Sequence, residues 1–462
     1  MRRYQRVLVS FLACVILTCL IGRESVAQQA PAGAQGVFVD ADGVLRTVVV
    51  EEKGDRLKNL KRQPIGRAVG PVSGKTSLRK VSLAGVAREV RDCVAAGKPI
   101  PDEVRFLAGI QQIQFVFVYP EEKDVVIAGP AEGWLEDAAG RVIGATTKRP
   151  VVRLDDLIVA LRVFPPGANA NAVVGCTINQ TEEGMKRLQQ YMAAAGKSLS
   201  GDPRRVAGQL AQGVRDSLGM HDVEIWGVPG DSHLALVLVE ADYRMKLTGL
   251  GLEDPRVRRL QSYYAAIGAG EAGRIKVQHW WFTPEYEAIL RDEDGTAFEF
   301  RGQRAKLVGA DDRPKADGST EKGTTAGGAT QRFAQSFTAH FDELTRAVPV
   351  YAELQNAFDL VILAALIQQG DLARRVAPDL NFLYETSGGY AAETLPVPKH
   401  VDSAVNAKVI GARLATPVGG VEMQPTRVLG SSASKQPADS KLRDRRAAAQ
   451  PLTASRARWW AD

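Results

Sequence analysis

The sequence predicts an α/β or α+β protein whose mixed sheets are covered by helices. Between residues 81 and 308, segments with helical spacing alternate with segments of strand spacing, which predicts a layered body. Within 332–400, apolar residues form two helical stripes that Val348-Pro349 separates. This segment is predicted to be a separate C-terminal helical hairpin. A disordered tail is predicted at 401–462, which is basic and rich in Ser, Ala and Pro.

Local start and stop signals divide the chain into segments. A hairpin is predicted at 36–50 around Asp42-Gly43, and an amphipathic helix at 81–96 ends at Gly97. The predicted divisions are a signal peptide at 1–27, an N-terminal hairpin and polar segment at 28–80, a body at 81–308, a linker at 309–331, the helical segment at 332–400 and the tail at 401–462. The predicted strands of the body are 112–120, 124–130, 173–178, 274–282, 286–302 and 305–309, and its further helices are 155–163, 181–196 and 202–219.

A weak internal repeat relates residues 107–127 to residues 218–238, with Gly109 aligned to Gly219. Each unit has the order helix, glycine stop, strand, proline-containing turn and second strand, so a strand is also predicted after Pro229. The sequence leaves both a true duplication and an independent origin of the two units open.

The N-terminus has the order of regions that is typical of a secretory signal peptide. Three arginines precede an apolar run at about 7–21, and Ser25-Val26-Ala27 places small residues at both recognition positions of a cut before Gln28. This pattern predicts export to the periplasm or cell envelope, with an uncleaved anchor as the alternative. The apolar run at 358–367 is too short to span a bilayer and is predicted to be a buried helix segment.

The basic charge lies at the two ends of the chain. Removing residues 1–27 lowers the net charge from +6 to +3, and residues 420–462 carry +4, so the body is close to neutral. A specific nucleic-acid-binding module needs a basic folded face, which this distribution does not predict. The basic tail instead predicts loose contact with an anionic envelope polymer or surface.

Two cysteines remain after the predicted cleavage, Cys93 on the apolar face of a helix and Cys176 on the inward side of a strand. In an oxidising compartment they could form a disulfide. The alternative is two separate thiols that behave as small apolar residues.

The stretch GDSHL contains the catalytic candidates Asp231, Ser232 and His233. A nucleophile and its base must meet in space, whereas consecutive residues of a strand point to opposite faces. No histidine of the chain has an aspartate three residues before it, as an esterase of the GDSL type requires. A turn at Pro229-Gly230-Asp231 is therefore predicted, with Asp231 and Ser232 bonded to the local backbone. The carboxylates Glu240 and Asp242 are the other candidates for a hydrolase.

The stretch HWWF at 279–282 is the most distinctive aromatic group. Strand alternation places Trp280 on one face and Trp281 on the other, so the strand is either buried on both sides or carries an outward aromatic row. Such a row could stack on sugar rings or contact a partner. No H-x-H or H-x-x-x-H pair predicts a metal site, and no motif predicts a cofactor.

Three runs, VEADYRMKLTGLGLED, WWFTPEYEAILRDEDGTAFEFRGQRAKLVG and FTAHFDELTRAVPVYAELQNAFDL, together resemble an uncharacterised family of exported planctomycete proteins. The resemblance covers roughly residues 80–395 and implies export. It implies no activity, cofactor or site residue, because that domain has no known function.

The sequence therefore predicts an exported, non-catalytic envelope or periplasmic protein with a binding or structural role. The alternatives are an exported hydrolase of unrecognised type and a module that binds carbohydrate or another ligand. The first alternative would use Asp231, Ser232 and His233, and the second would use Trp280 or Trp281.

Overall fold

The computed structural model describes residues 35–39, 44–49, 65–168, 171–195, 202–267, 277–314, 320–321, 328–369, 380–386, 389–408, 413–431, 439–449, 452 and 458–462. The chain divides by its internal contacts into two units, 1–36 with 47–61 and 37–46 with 62–462. Nearly all of the described residues belong to the second unit. The predicted signal peptide and the Asp42-Gly43 turn lie outside the described residues.

The described residues form nineteen strands: β1 Gln35–Val39, β2 Val44–Val49, β3 Thr76–Ser82, β4 Phe115–Tyr119, β5 Asp124–Ala131, β6 Trp134–Glu136, β7 Val142–Gly144, β8 Val174–Gln180, β9 Met220–Trp226, β10 Val277–Glu285, β11 Ala288–Arg291, β12 Ala297–Arg301, β13 Arg304–Pro314, β14 Thr320–Glu321, β15 His400–Asp402, β16 Asn406–Lys408, β17 Arg413–Ala415, β18 Val418–Met423 and β19 Trp460–Ala461. The thirteen described α-helices are α1 Leu83–Ala95, α2 Asp102–Arg105, α3 Leu154–Val163, α4 Glu182–Ala195, α5 Pro203–Leu218, α6 His233–Gly249, α7 Tyr263–Ala266, α8 Gly328–Ala339, α9 Phe341–Ala347, α10 Pro349–Gln369, α11 Asn381–Tyr384, α12 Pro425–Leu429 and α13 Ser440–Ala449.

Two large sheets organise these elements into an α+β fold. One sheet has nine strands in the order β1-β2-β15-β9-β8-β18-β10-β13-β14, and the other has six in the order β11-β12-β4-β5-β3-β19. The larger sheet is mixed, because β18 runs parallel to β10 and antiparallel to β8. The predicted mixed sheets covered by helices are therefore confirmed.

One face of the nine-stranded sheet carries the main core. Trp280 and Phe282 on β10 are fully buried, and the ring of Phe333 on α8 lies 4.6 Å from that of Trp280. Phe337 and Tyr351 extend the same aromatic cluster from α8 and α10. The helical segment therefore packs into the main core, and the predicted separation of a C-terminal helical hairpin is wrong.

Helix α10 is the central helix of this core. It is long and apolar enough to cross a membrane by length and composition, but that apolar window is wholly buried inside the protein. Its buried residues include the run from Phe358 to Ile367, so the buried helix segment predicted there is confirmed.

The tail predicted to be disordered is ordered where the structure describes it. Strand β18 lies in the middle of the nine-stranded sheet, with Val421 and Met423 buried. Strand β19 pairs with β3, and the side chain of Arg79 holds the carboxylate of Asp462 at 2.6 Å. The sequence around these short strands is rich in Gly, Pro and Arg and does not predict strands. Their stability comes from pairing with strands more than 200 residues away.

The linker predicted at 309–331 is likewise shorter than expected. Strand β13 continues to Pro314 and pairs with β14, and α8 begins at Gly328.

The internal repeat does not extend to its last element. The first unit ends with the hairpin of β4 and β5, as predicted. In the second unit, β9 is followed by helix α6, so the strand predicted after Pro229 is wrong. All residues of α6 except His233 and Leu236 are buried, and a helix that is buried on every side loses the apolar stripe that distinguishes it from a buried strand.

The arginines of the tail helix α13 pack on the six-stranded sheet. Arg446 donates to the carbonyl of Val118 at 2.8 Å and lies over the ring of Tyr119. Arg443 pairs with the carboxylate of Glu293 at 2.6 Å. Since these contacts occupy part of the basic charge within the fold, the support for a polyanion-binding tail is weakened.

Candidate functional site

Ser232 begins helix α6 and is its N-cap. Its Oγ accepts a hydrogen bond from the backbone nitrogen of Ala235 at 3.1 Å and donates to the carbonyl of Pro229 at 2.8 Å. The preceding Asp231 is exposed, and its backbone carbonyl accepts from Leu395 at 2.7 Å. The hydroxyl of Ser232 is thus engaged by the local backbone, as a capping serine requires.

His233 meets a carboxylate that the sequence did not indicate. Its Nδ1 lies 2.8 Å from Oδ2 of Asp156 on α3, 77 positions away in the chain. Its Nε2 lies 3.9 Å from Oε1 of Glu353 on α10. The structure therefore brings together Asp156, His233 and Glu353, whereas Asp231 is directed elsewhere.

A cluster of paired charges extends from Glu353 along α6. Arg141 bonds to Glu240 and, at 3.1 Å, to Glu353. Arg244 lies between Glu240 and Glu253. Burial lowers the pKa of Arg141, but Glu240 and Glu353 outweigh it and hold that pKa above its ordinary value. We refer to Arg141, Glu240, Arg244, Glu253 and Glu353 as the charge cluster.

A second set of pairs fastens the segment 389–395 to α3. Arg153 donates to Glu393 at 2.8 Å. Asp155 accepts from the hydroxyl of Tyr390 at 2.9 Å and from the backbone of Glu393 at 3.0 Å. These charged side chains hold a loop in place.

A cleft of about 530 Å³ opens beside Ser232. The guanidinium of Arg162 lies in it and donates to the carbonyls of Leu383, Glu385 and Tyr390 at 2.5–3.2 Å. The apolar lining comes from Val159, Val163, Val228, Pro229 and Ala392.

The Asp156–His233 pair has one feature of a catalytic base, since a carboxylate on Nδ1 orients the imidazole. In the described part of the chain, however, no serine, threonine or cysteine side chain is hydrogen-bonded to His233. Of the alternative carboxylates, Glu240 is held by Arg141, and Asp242 is fully buried.

Asp242 forms a pair with Lys246 inside the main core. The ammonium donates to Asp242 at 2.7 Å and to the carbonyl of Gly419 at 3.0 Å, and both side chains are at most 1% exposed. Burial raises the pKa of Asp242 to about 6, although Lys246 opposes the shift. This pair joins α6 to the nine-stranded sheet.

The other face of the nine-stranded sheet carries two partly exposed tryptophans. Trp281 on β10 lies opposite Val308 on β13, and Val308 is 36% exposed. Trp226 on β9 lies opposite Gly175 on β8. Helices α6, α8 and α10 pack on the opposite face, with Trp280 and Phe282. We refer to the outward side of β13, β10, β18, β8 and β9 as the open sheet face.

The two tryptophans of HWWF thus have different environments. Trp280 is fully buried in the aromatic cluster and is no longer a binding candidate, whereas Trp281 points to the open sheet face. Sequence reasoning missed Trp226, although its alternation with Glu224 and Asp222 places all three on that face. The alternation is visible in the sequence, but only the strand order shows that this face of β9 is also the face of Trp281.

Cys93 and Cys176 are free thiols in the structure, which favours two separate thiols over the disulfide. Burial, and after it Asp242, raises the pKa of Cys176 well above its ordinary value. Burial also raises the pKa of Cys93, which is half-buried on α1. In the described ranges, no group of three or more His, Cys, Asp or Glu side chains is arranged to hold a metal ion.

A domain of the family described as "Protein of unknown function (DUF1598)" is found at residues 176–263. The matched residues run from β8 to the start of α7 and include Trp226, His233 and Lys246. No curated protein and no solved structure matches the chain.

Proposed function

We propose that this chain, with its DUF1598 domain, is an exported non-catalytic protein of the cell envelope or periplasm that binds a ligand through the open sheet face. The signal-peptide pattern before Gln28 supports export. The resemblance of residues 80–395 to exported planctomycete proteins supports the same location.

The observation that carries the proposal is the placement of Trp226, Trp281 and Val308 on one face of a sheet. Large apolar side chains that share an exposed face mark interaction sites more often than scattered ones do. Tryptophan contributes a large contact area to such sites, because it is rigid and has both an apolar ring and a polar N–H.

The non-catalytic part of the proposal is supported by the partners of the buried charged residues. Arg141, Arg153 and Arg244 are each paired with carboxylates of the fold, and Arg162 serves three carbonyls. Ser232 is a helix cap. A catalytic site keeps polar groups directed at the reacting atoms, whereas these groups are directed at the protein itself.

The proposal is tested with the mature chain from Gln28 and the envelope fraction of the native host. The wild type should co-sediment with that fraction in a saturable manner. Trp281→Ala and Trp226→Ala should each lower the bound amount strongly, because each removes an aromatic contact of the open sheet face. Leu252→Ser is the matched control, since Leu252 is 44% exposed but lies after α6. Equal binding by all four proteins would contradict the proposal.

A second function is favoured by the Asp156–His233 pair, which could serve as a general base in an exported hydrolase. His233→Gln would then abolish hydrolysis of ester, peptide or glycoside substrates, while Ser232→Ala would not. Wild-type protein without any measurable turnover across these three substrate classes would exclude this alternative.

A further inference from the structure

The open sheet face has two aromatic platforms at a defined separation. Trp281 and Trp226 lie on β10 and β9, with β18 and β8 between them. Three strand spacings of about 4.8 Å place the two backbones about 14 Å apart. The ring of Trp226 leans across β8, because a Cβ added at Gly175 would lie 2.7 Å from Cζ2 of that ring. Trp226 is also two residues, or about 7 Å, out of register with Trp281 along the strands, so the gap between the platforms is roughly 12 Å.

The sheet between the platforms carries two glycines, a threonine and a glutamate on this face. Gly420 on β18 lies beside Trp281, and Gly175 on β8 lies beside Trp226. Thr177 lies opposite Gly420, and Glu422 lies opposite Gly175, so both side chains share this face. The two glycines and Thr177 are buried, so a ligand contacts the partly exposed tryptophan rings and Glu422 rather than the backbone of the sheet.

The charges on this face are acidic. Glu224 and Asp222 precede Trp226 on the same side of β9, and Asp222 pairs with His400. Glu422 on β18 pairs with Arg427. Lys306, also on this face, has its ammonium 2.6 Å from Glu285. Nucleic acids and acidic polymers need lysine and arginine that neutralise their charge. This arrangement disfavours a polyanion, which revises the anionic-polymer partner expected from the basic tail.

A protein partner would have to desolvate the same carboxylates. Burying Glu224 and Asp222 under an apolar surface is costly unless the partner supplies matching cations. Sugar hydroxyls can donate hydrogen bonds to these carboxylates and leave them hydrated, while the apolar faces of sugar rings pack on tryptophan.

We propose that the ligand of the open sheet face is a glycan chain without acidic groups, which runs across the strands from Trp281 to Trp226. This inference rests on the proposed binding function and names its ligand class. Trp281 and Trp226 each stack on a sugar ring, and Glu224 accepts hydrogen bonds from sugar hydroxyls between them.

The test digests the host envelope fraction exhaustively with proteases and nucleases, and separates the remaining glycan by anion exchange into acidic and non-acidic pools. Binding of the mature full-length chain to each pool is measured by co-sedimentation or by tryptophan fluorescence. The non-acidic pool should bind the wild type, and Trp281→Ala and Trp226→Ala should each weaken that binding roughly tenfold or more. Glu224→Gln should weaken it less, and Leu252→Ser should bind as the wild type does.

The outcomes separate the two proposals. Trp281-dependent binding that protease digestion destroys would overturn the glycan and identify a protein partner, while the binding function stands. Trp281-dependent binding to the acidic pool alone would overturn the charge argument. Binding to undigested envelope that neither tryptophan affects would overturn both proposals. Thermal unfolding identifies a misfolded variant, and Val308→Thr then provides a third, milder change on the same face.

Discussion

The buried pair of Asp242 and Lys246 leads to a prediction about stability. Lys246→Met keeps a long apolar side chain but removes the ammonium that lies 2.7 Å from Asp242. Asp242 is fully buried, so its carboxylate would lose its charge partner without gaining water. Removing one partner of a buried ion pair costs about 3–5 kcal/mol. We expect Lys246→Met to lower the free energy of unfolding by about that amount at pH 7.

Replacing both partners should be less harmful than replacing one. The double variant Asp242→Leu with Lys246→Met has no unpaired charge, and such replacements are often neutral or stabilising. The hydroxyl of Thr177 still donates to the carbonyl of Gly419 at 2.9 Å, so that carbonyl keeps a partner. We expect the double variant to recover about 2 kcal/mol or more of the loss.

The pH dependence of the stability loss provides an independent test. Burial already raises the pKa of Asp242 from 3.8 to about 6 in the folded protein. A carboxyl with a raised folded pKa stabilises the fold at low pH, and this contribution is lost as the pH rises through the folded pKa. Without Lys246 the folded pKa rises further, because the attraction that opposed burial is gone. The loss in free energy of unfolding caused by Lys246→Met should therefore be smaller at pH 5 than at pH 7.

Urea titrations followed by tryptophan fluorescence at both pH values measure these differences. Arg443→Met is the matched control, since it breaks an ion pair whose side chains are 49% and 64% exposed and should change stability by less than about 1 kcal/mol. A double variant no more stable than Lys246→Met would refute the reasoning, as would a deficit that does not depend on pH.

The remaining predictions concern export, the helix cap, a buried histidine and the thiols. Mass spectrometry of the native protein should find Gln28 or its cyclised form at the N-terminus, and an intact Met1 would contradict export with cleavage. Ser232→Ala should cost about 1 kcal/mol of stability by loss of the cap, without changing labelling by a fluorophosphonate probe. Burial, and after it Lys246, lowers the pKa of His221 from 6.5 to about 3. The unfolded state therefore binds the proton first, and the free energy of unfolding falls as the pH drops below 6.5. In urea titrations, His221→Phe should remove up to about 1.4 kcal/mol per pH unit of that fall. Thiol labelling in denaturant without reductant should modify two cysteines in the mature chain, and a count of zero would establish the disulfide.

Local chemistry made much of the fold predictable from the sequence. Pro203 occupies the first position of α5, and Asp202 caps the helix by accepting hydrogen bonds from the backbone nitrogens of Arg204 and Arg205. Gly97 follows α1 with a φ of +62°. Such signals act over a few residues, so they are legible without the partner elements.

Helix α6 shows where local signals stop. Its run of Leu, Val and Ala is buried on all sides between the sheet and α10, so burial imposes no stripe on the sequence. The periodicity of a buried strand and of a buried helix is then the same. Ser232 caps the helix, but serine is favoured in turns as well as at helix N-caps, so the sequence alone does not distinguish the two.

The candidate site also has a part that the sequence predicts and a part that it does not. Alternation along β10 determined that Trp280 and Trp281 point to opposite faces, and the charge count predicted that the body has no nucleic-acid-binding module. The sequence by itself thus determined the local elements and the sidedness of each strand, because both depend on neighbours in the chain. Only the tertiary structure decided which face α8 and α10 cover, that Trp226 joins Trp281, and that His233 meets Asp156. These outcomes depend on the order of strands and on contacts between residues 31 or more positions apart, for which the chain carries no local periodicity.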